Sequence, residues 1–219
     1  MKLAIIFAGA FIIFSFVLGI YLYPQMPEML DSHWNAMGDA DAQSDKIIGL
    51  FAMPIVMLLL FLILLIMPLV DPKRNNIKKF RNYYDWTIFV IIFFLAYVYL
   101  LSIFWNLGKK FDFAAMLLPA FFVLFLFFGF LFEKAKLNWL IGIRTPWTLS
   151  SEKVWNETHK VGSKMFKICA LITLFGFVFR DLAIWFVIVP AITISIYLFV
   201  YSYLVYKKEK KVRQVFRQV

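Results

Sequence analysis

Two histidines and one cysteine carry most of the reactive chemistry available to this chain. His33 stands among Asp31, Asp39, Asp41 and Asp45, a set that could ligate a divalent cation. The run has no second histidine at ligand spacing and no D-x-D-x-D-G calcium loop. The reading in which His33, Trp34 and Asn35 hydrogen-bond and pack to shape a loop is therefore preferred, and no metal or cofactor is expected. His159 could act as a general base toward Ser150, Ser151 or Cys169. The serines, however, stand where helix caps are needed, and Cys169 lies inside an apolar block. No triad emerges, so the chain reads as a non-enzyme in which His159 bonds to loop backbone or to the Arg144 region. The planar guanidinium of Arg144 suits a lipid phosphate, and an interfacial anchor would occupy the same place.

These groups must be positioned by an unusually apolar chain. Of its 219 residues 63% are hydrophobic and 16% charged, against roughly a quarter charged in soluble domains. The apolar residues fall in blocks near the ~20 residues that cross a bilayer as helix. The composition predicts an all-α integral membrane protein with six transmembrane helices: Leu3–Tyr21, Ile48–Val70, Trp86–Asn106, Phe113–Phe132, Met165–Phe179 and Leu182–Tyr206. The fifth is short for a bilayer, so Lys167 and Arg180 would have to reach the interfaces or the bilayer would have to thin. Arg180-Asp181 should lie at a turn, because an arginine at a helix centre costs about 2.5–3.5 kcal/mol. A lone cysteine excludes an intrachain disulfide. The net charge of +10 reads as topology signal rather than a nucleic-acid footprint. With both termini cytoplasmic, 19 of the 23 basic residues fall on the inner side, as the positive-inside rule asks. The spans carry almost no ionisable group. Ser102, Asn106 and Thr173 are weak candidates for a solute path, which disfavours a small-solute transporter.

Two polar segments interrupt the spans. The first, Tyr23 to Ile47, sets five carboxylates against Lys46, a formal charge of −4. Pro24, Pro27 and Gly38 predict a compact folded loop there, facing outward. The second, Glu133 to Lys164, faces inward. Gly142 permits a turn, and Trp139 and Trp147 flank Arg144 at the headgroup level. Pro146 stops any helix entering from Ile143. Thr148, Ser150 and Ser151 each offer an N-cap for a helix that Glu152 favours at its start. Val154, Trp155, Thr158, Val161, Gly162 and Met165 share one face, and Lys153, Asn156, Glu157, Lys160 and Lys164 mostly the other. An amphipathic inner-face helix is predicted, lying at the interface and feeding the fifth span. His159 follows Trp155 by four residues, so the two rings can touch.

The string G-I-R-T-P-W-T-L-S-S-E-x-V-W-x-x-T-H, Gly142 to His159, resembles the signature of the SdpI family of bacterial and archaeal multi-span membrane proteins. Pro27 to Lys46, with His33-x-Asn35, Gly38 and the closing Lys46, resembles a domain of unknown function that often heads such proteins. The resemblance implies two units. Residues 1–70 would be a two-helix unit with outer loop 23–47, and residues 71–219 an SdpI-like four-helix region with inner loop 133–164. It also implies a plasma-membrane immunity or sensing protein that protects against a secreted, membrane-active toxic peptide. A cytoplasmic transcriptional repressor would be a second partner, membrane lipid a third, and nucleic acid would not be bound directly. A membrane enzyme is the competing class, beside the transporter. The residues expected to bind ligand or partner are His33, Trp34, Asn35, Asp41 and Lys46 outside, and Asn138, Gly142, Arg144, Thr145, Pro146, Trp147, Trp155 and His159 inside.

Overall fold

The computed structural model describes residues 2–215, with side chains described from residue 3 to residue 212. Its helices are α1 (Lys2–Leu22), α2 (Lys46–Val70), α3 (Arg74–Lys79), α4 (Arg81–Asn106), α5 (Phe113–Lys134), α6 (Pro146–Ser150), α7 (Glu152–Thr173) and α8 (Trp185–Val215). Between α1 and α2 the strands β1 (Met29–Trp34) and β2 (Ala40–Asp45) pair as an antiparallel hairpin. The compact loop is thus present, and strand pairing is what makes it compact. Arg213 and Arg217 of the basic tail lie outside the described side chains.

The chain is a multi-pass membrane protein. Among the described residues five helical stretches are long and apolar enough to cross a bilayer: Leu3–Gln25, Lys46–Val70, Arg81–Asn106, Phe113–Lys134 and Arg180–Val212. The element predicted as the fifth of six spans is not among them, because Met165–Phe179 is the upper part of α7 followed by a tighter 3-10 turn at Leu174–Phe177. It nevertheless runs antiparallel beside α5. Ser163 and Lys167 bond Glu133 near one end of α5, and Gly176 lies against Leu118 toward the other. Lys167 thus ends in an ion pair, with its ammonium 4.2 Å over the Phe130 ring. Arg180–Leu182 forms a 3-10 turn, as the charged pair requires.

One core joins α1, α2, α4, the loop-side end of α5 and the start of α7 through Ala8, Met57, Tyr84, Ile88, Leu131 and Trp155. A second joins α5, α7 and α8 through Leu118, Phe125, Cys169, Val187 and Leu198. The hairpin closes one end of the bundle, and the segment between α5 and α7 closes the other. The third span begins at Arg81 rather than Trp86, because Asp85 is buried in an ion pair with Arg81 (2.6 Å) one turn away. The amphipathic stripe of α7 is present, but it covers protein. Val154, Trp155, Thr158, His159 and Gly162 are all buried, and α7 packs on α5, α6 and α8.

Candidate functional site

The segment between α5 and α7 is built around Asn138. Its side-chain oxygen accepts from the backbone N–H groups of Leu140 and Ile141, both at 2.8 Å. Its amide donates to the carbonyls of Lys136 (2.7 Å) and Ile141 (2.9 Å). Four bonds on one fully buried side chain fix a tight turn in a stretch that has no backbone ladder of its own. Asp71 at the end of α2 accepts from the Trp139 N–H (2.9 Å), and Asn76 donates to the Leu137 carbonyl (2.8 Å). The turn is therefore tied to the α2–α3 connection. Arg144 is exposed and donates to the Trp139 carbonyl at 2.6 Å, closing the loop from outside. Thr145 caps α6 in a reciprocal pair with Thr148, and Pro146 occupies the first turn, starting the short helix. Thr145 also bonds Ser202 of α8 (3.0 Å). Trp147 lies against Phe199 and Tyr203 of the same helix, half-buried, while Trp139 is exposed. Ser151, of the three cap candidates, caps α7, and its hydroxyl donates to Glu209 at 2.6 Å.

Trp155 and His159 form the centre of this region. Their rings stack at 3.9 Å and 19°, the contact that their i,i+4 spacing predicts. The Trp155 indole N–H donates to the Ala135 carbonyl (2.9 Å), and Phe132 meets the imidazole edge-on. His159 Nδ1 bonds the Trp155 carbonyl (2.8 Å), and Nε2 accepts from the Ile143 N–H (3.0 Å). Those partners require the neutral Nδ1–H tautomer. A proton on Nε2 would set two donors against each other. Burial pushes the His159 pKa down to about 4, opposed only by the Trp155 carbonyl bond. Both ring nitrogens are engaged with backbone, so the imidazole has no nitrogen to offer a nucleophile. Gly142 makes the stack possible. It has φ +130, and a Cβ there would lie 2.5 Å from His159 Nε2 and 2.9 Å from the Trp155 ring. A cavity of about 390 Å³ lies beside His159 and includes Lys136, Lys160 and Lys164 in its wall.

At the opposite end the hairpin is tied to α4. Asn106 exchanges two bonds with the Asp31 backbone (2.8 and 2.9 Å). The Asp31 carboxylate accepts from Gln43 (2.9 Å), the Trp105 indole (2.8 Å) and Lys110 (3.3 Å). The bond from Gln43 is the largest influence holding its pKa below the usual range, with burial opposing and Trp105 and Lys110 assisting. Asn35 shapes the tip by accepting from the N–H groups of Met37 and Asp39. Gly38, at φ +86, brings that tip against Asp112 and Phe113 at the start of α5. His33 pairs with Asp41 across the hairpin, and Lys46 pairs with Glu28 (2.8 Å) beneath the Tyr23 ring. Among the described residues no group of three metal-ligating side chains forms.

Trp34 packs, as the loop-shaping reading expects, but against the bundle rather than within the loop. Its ring stacks on Phe113 at 3.9 Å and 11° and meets Trp105 edge-on, so it pins the hairpin to the bundle. Beneath it lies a cavity of about 650 Å³ between the hairpin and the ends of α2, α4, α5 and α8. Its walls include Ile48, Met53, Leu117, Ile184 and Ile188, together with Ser102. Two residues of its roof carry buried polar atoms without a partner, the Trp34 indole N–H and the Ser44 hydroxyl. An unsatisfied buried group of this kind costs about 1–3 kcal/mol.

The predicted inner residues thus meet in one cluster and the outer ones in one hairpin, at opposite ends of the bundle. Sequence reasoning did not select Asp71, Asn76, Ser202 or Glu209, whose partners are distant in sequence. Asn106 carried a signal as a polar residue closing an apolar span. Its work is to hold the hairpin. Thr173 bonds its own helix at Cys169 (3.0 Å).

Comparison with known proteins agrees with both segments. Residues 134–203 match the model of the SdpI/YfhL protein family, and residues 10–58 match DUF1648, a domain of unknown function. The chain is 27% identical over 195 residues to the immunity protein SdpI of Bacillus subtilis (strain 168), covering 89% of this chain and 91% of that protein. No solved structure matches. The resemblance read from Gly142 to His159 is borne out, and this multi-pass membrane chain carries an SdpI/YfhL family segment at residues 134–203 behind a DUF1648 segment at residues 10–58.

Proposed function

We propose that this chain is a non-enzymatic immunity protein of the plasma membrane that protects its cell against a secreted, membrane-active cationic peptide. Similarity to a protein named for immunity along 89% of the chain carries this reading. The charge bias between segments supports an orientation with both termini in the cytoplasm and the hairpin outside. A peptide arriving at the outer leaflet would then meet the hairpin first. Asp39, Asp41 and Asp45 are exposed there and would steer a cation toward it, within a screening length of about 8 Å at physiological salt. His33, Asn35 and Lys46 keep that surface folded. The Trp155–His159–Gly142 cluster, braced by Asn138, Arg144 and Thr145, holds α7 against α5 and α8 at the cytoplasmic end. Lys153, Lys160 and Lys164 project from the exposed side of α7, a surface available to a cytoplasmic repressor. The division at residue 70 then separates a unit bearing the peptide-facing hairpin from a unit bearing the cytoplasmic cluster.

Expressing the chain in cells killed by such a peptide is expected to restore survival. The triple variant Asp39→Asn, Asp41→Asn, Asp45→Asn should slow peptide association roughly tenfold at low ionic strength and flatten its salt dependence. Survival should fall accordingly at matched protein level. Equal killing with and without the wild-type chain, when the chain is present in the membrane, contradicts the proposal.

A further inference from the structure

The cavity beneath the hairpin has no role in steering, and its features point to a ligand. At about 650 Å³ it lies within the ~300–1,000 Å³ range of small-ligand pockets. Apolar side chains of α2, α5 and α8 line it, and β1 and β2 roof it. The roof carries two buried, unpartnered polar atoms, Trp34 Nε1 and Ser44 Oγ. The hairpin above presents Asp39, Asp41 and Asp45.

Resting on the immunity reading, we infer that this cavity receives a short apolar stretch of the cationic peptide, whose backbone carbonyl accepts from the roof. The carboxylates attract lysine or arginine beside that stretch, while they repel the headgroup of an anionic lipid. The apolar walls take the side chains that would otherwise insert in the bilayer. Both polar atoms are sealed from water in this conformation, so pairing with them requires the roof to shift as the ligand enters. The hairpin would therefore serve as both collector and lid for an anchor pocket, and protection would follow from holding the peptide's membrane-inserting residues inside protein.

The test uses the full chain in zwitterionic nanodiscs and a fluorescent amphipathic lysine–leucine peptide, with binding to empty nanodiscs subtracted. Ala52→Phe and, independently, Ile188→Trp fill the cavity from α2 and α8, and each should weaken binding roughly tenfold or more. Trp34→Phe keeps a ring on Phe113 and removes the indole N–H. It should weaken binding roughly three- to tenfold without lowering the thermal midpoint, since it deletes an unpaired donor. Wild-type affinity in folded Ala52→Phe and Ile188→Trp overturns the cavity while leaving the immunity reading intact. No binding by the wild-type chain sinks both. Native mass spectrometry supplies the remaining arm. A lipid retained by wild type and lost from the filled variants, with peptide affinity unchanged, overturns the proposal and assigns the space to an acyl chain.

Discussion

Trp155→Ala is expected to cost about 3–5 kcal/mol of folding stability, the range for removing a buried tryptophan. Trp155 is fully buried, and through it α7 joins the core that α1, α2, α4 and α5 share. Its loss removes the stacking surface of His159, the edge that Gly142 approaches and the donor to the Ala135 carbonyl. That carbonyl would be left without its indole partner. Trp155→Phe restores much of the area but not the donor, so it should recover more than half of the loss. Denaturant unfolding in micelles, followed by helical signal, separates the two variants. A loss under about 1 kcal/mol for Trp155→Ala would be that of a surface substitution and would mean that the cluster does not hold that end of the bundle together.

Acidification should destabilise the protein through His159. In the unfolded chain this group titrates near 6.5, and in the fold burial moves it to about 4. Between those values the unfolded state binds a proton that the folded state refuses, so stability falls as pH falls. The contribution is complete above about pH 6.5 and is lost on descending to about pH 4, a total near 3 kcal/mol. His159→Gln, which cannot titrate, should remove that slope while lowering stability at neutral pH. Unfolding midpoints measured at intervals from pH 7.5 to 4.5 decide the matter. Parallel wild-type and variant curves over that window would show that the imidazole is not held neutral by its surroundings.

The sequence made both polar segments and most spans legible, because apolar blocks of membrane length leave few alternatives. It also made the Trp155–His159 contact, the turn at Gly142 and the cap at Ser151 legible, since each depends on residues close in the chain. The hairpin was less accessible. Ala40 to Asp45 has little alternation of polar and apolar residues, and the register of β1 is fixed by Asn106, 75 residues away. Trp34 was legible as a packing residue, but its partner was not. Only the fold brings Phe113 beneath it. The extra turn of α4 was hidden for a similar reason, as Asp85 reads as a loop residue until Arg81 neutralises it inside the bundle. Met165–Phe179 does not form a long apolar span, because its α-helical portion stops at Thr173 and the first half of α7 is polar.

The claim on which the account turns is that the hairpin faces outward and meets the peptide. Single cysteines in a background lacking Cys169 address it in one labelling measurement with a membrane-impermeant maleimide on intact cells. Ser32 is exposed on β1 and serves as the outer reporter. Ser151 is buried against Glu209, so exposed Lys153, two residues on, is the inner reporter. Ser32→Cys is expected to label in intact cells, added cationic peptide to slow this labelling, and Lys153→Cys to label only after lysis. Labelling of Lys153→Cys from outside, or a Ser32→Cys rate indifferent to saturating peptide, would contradict it.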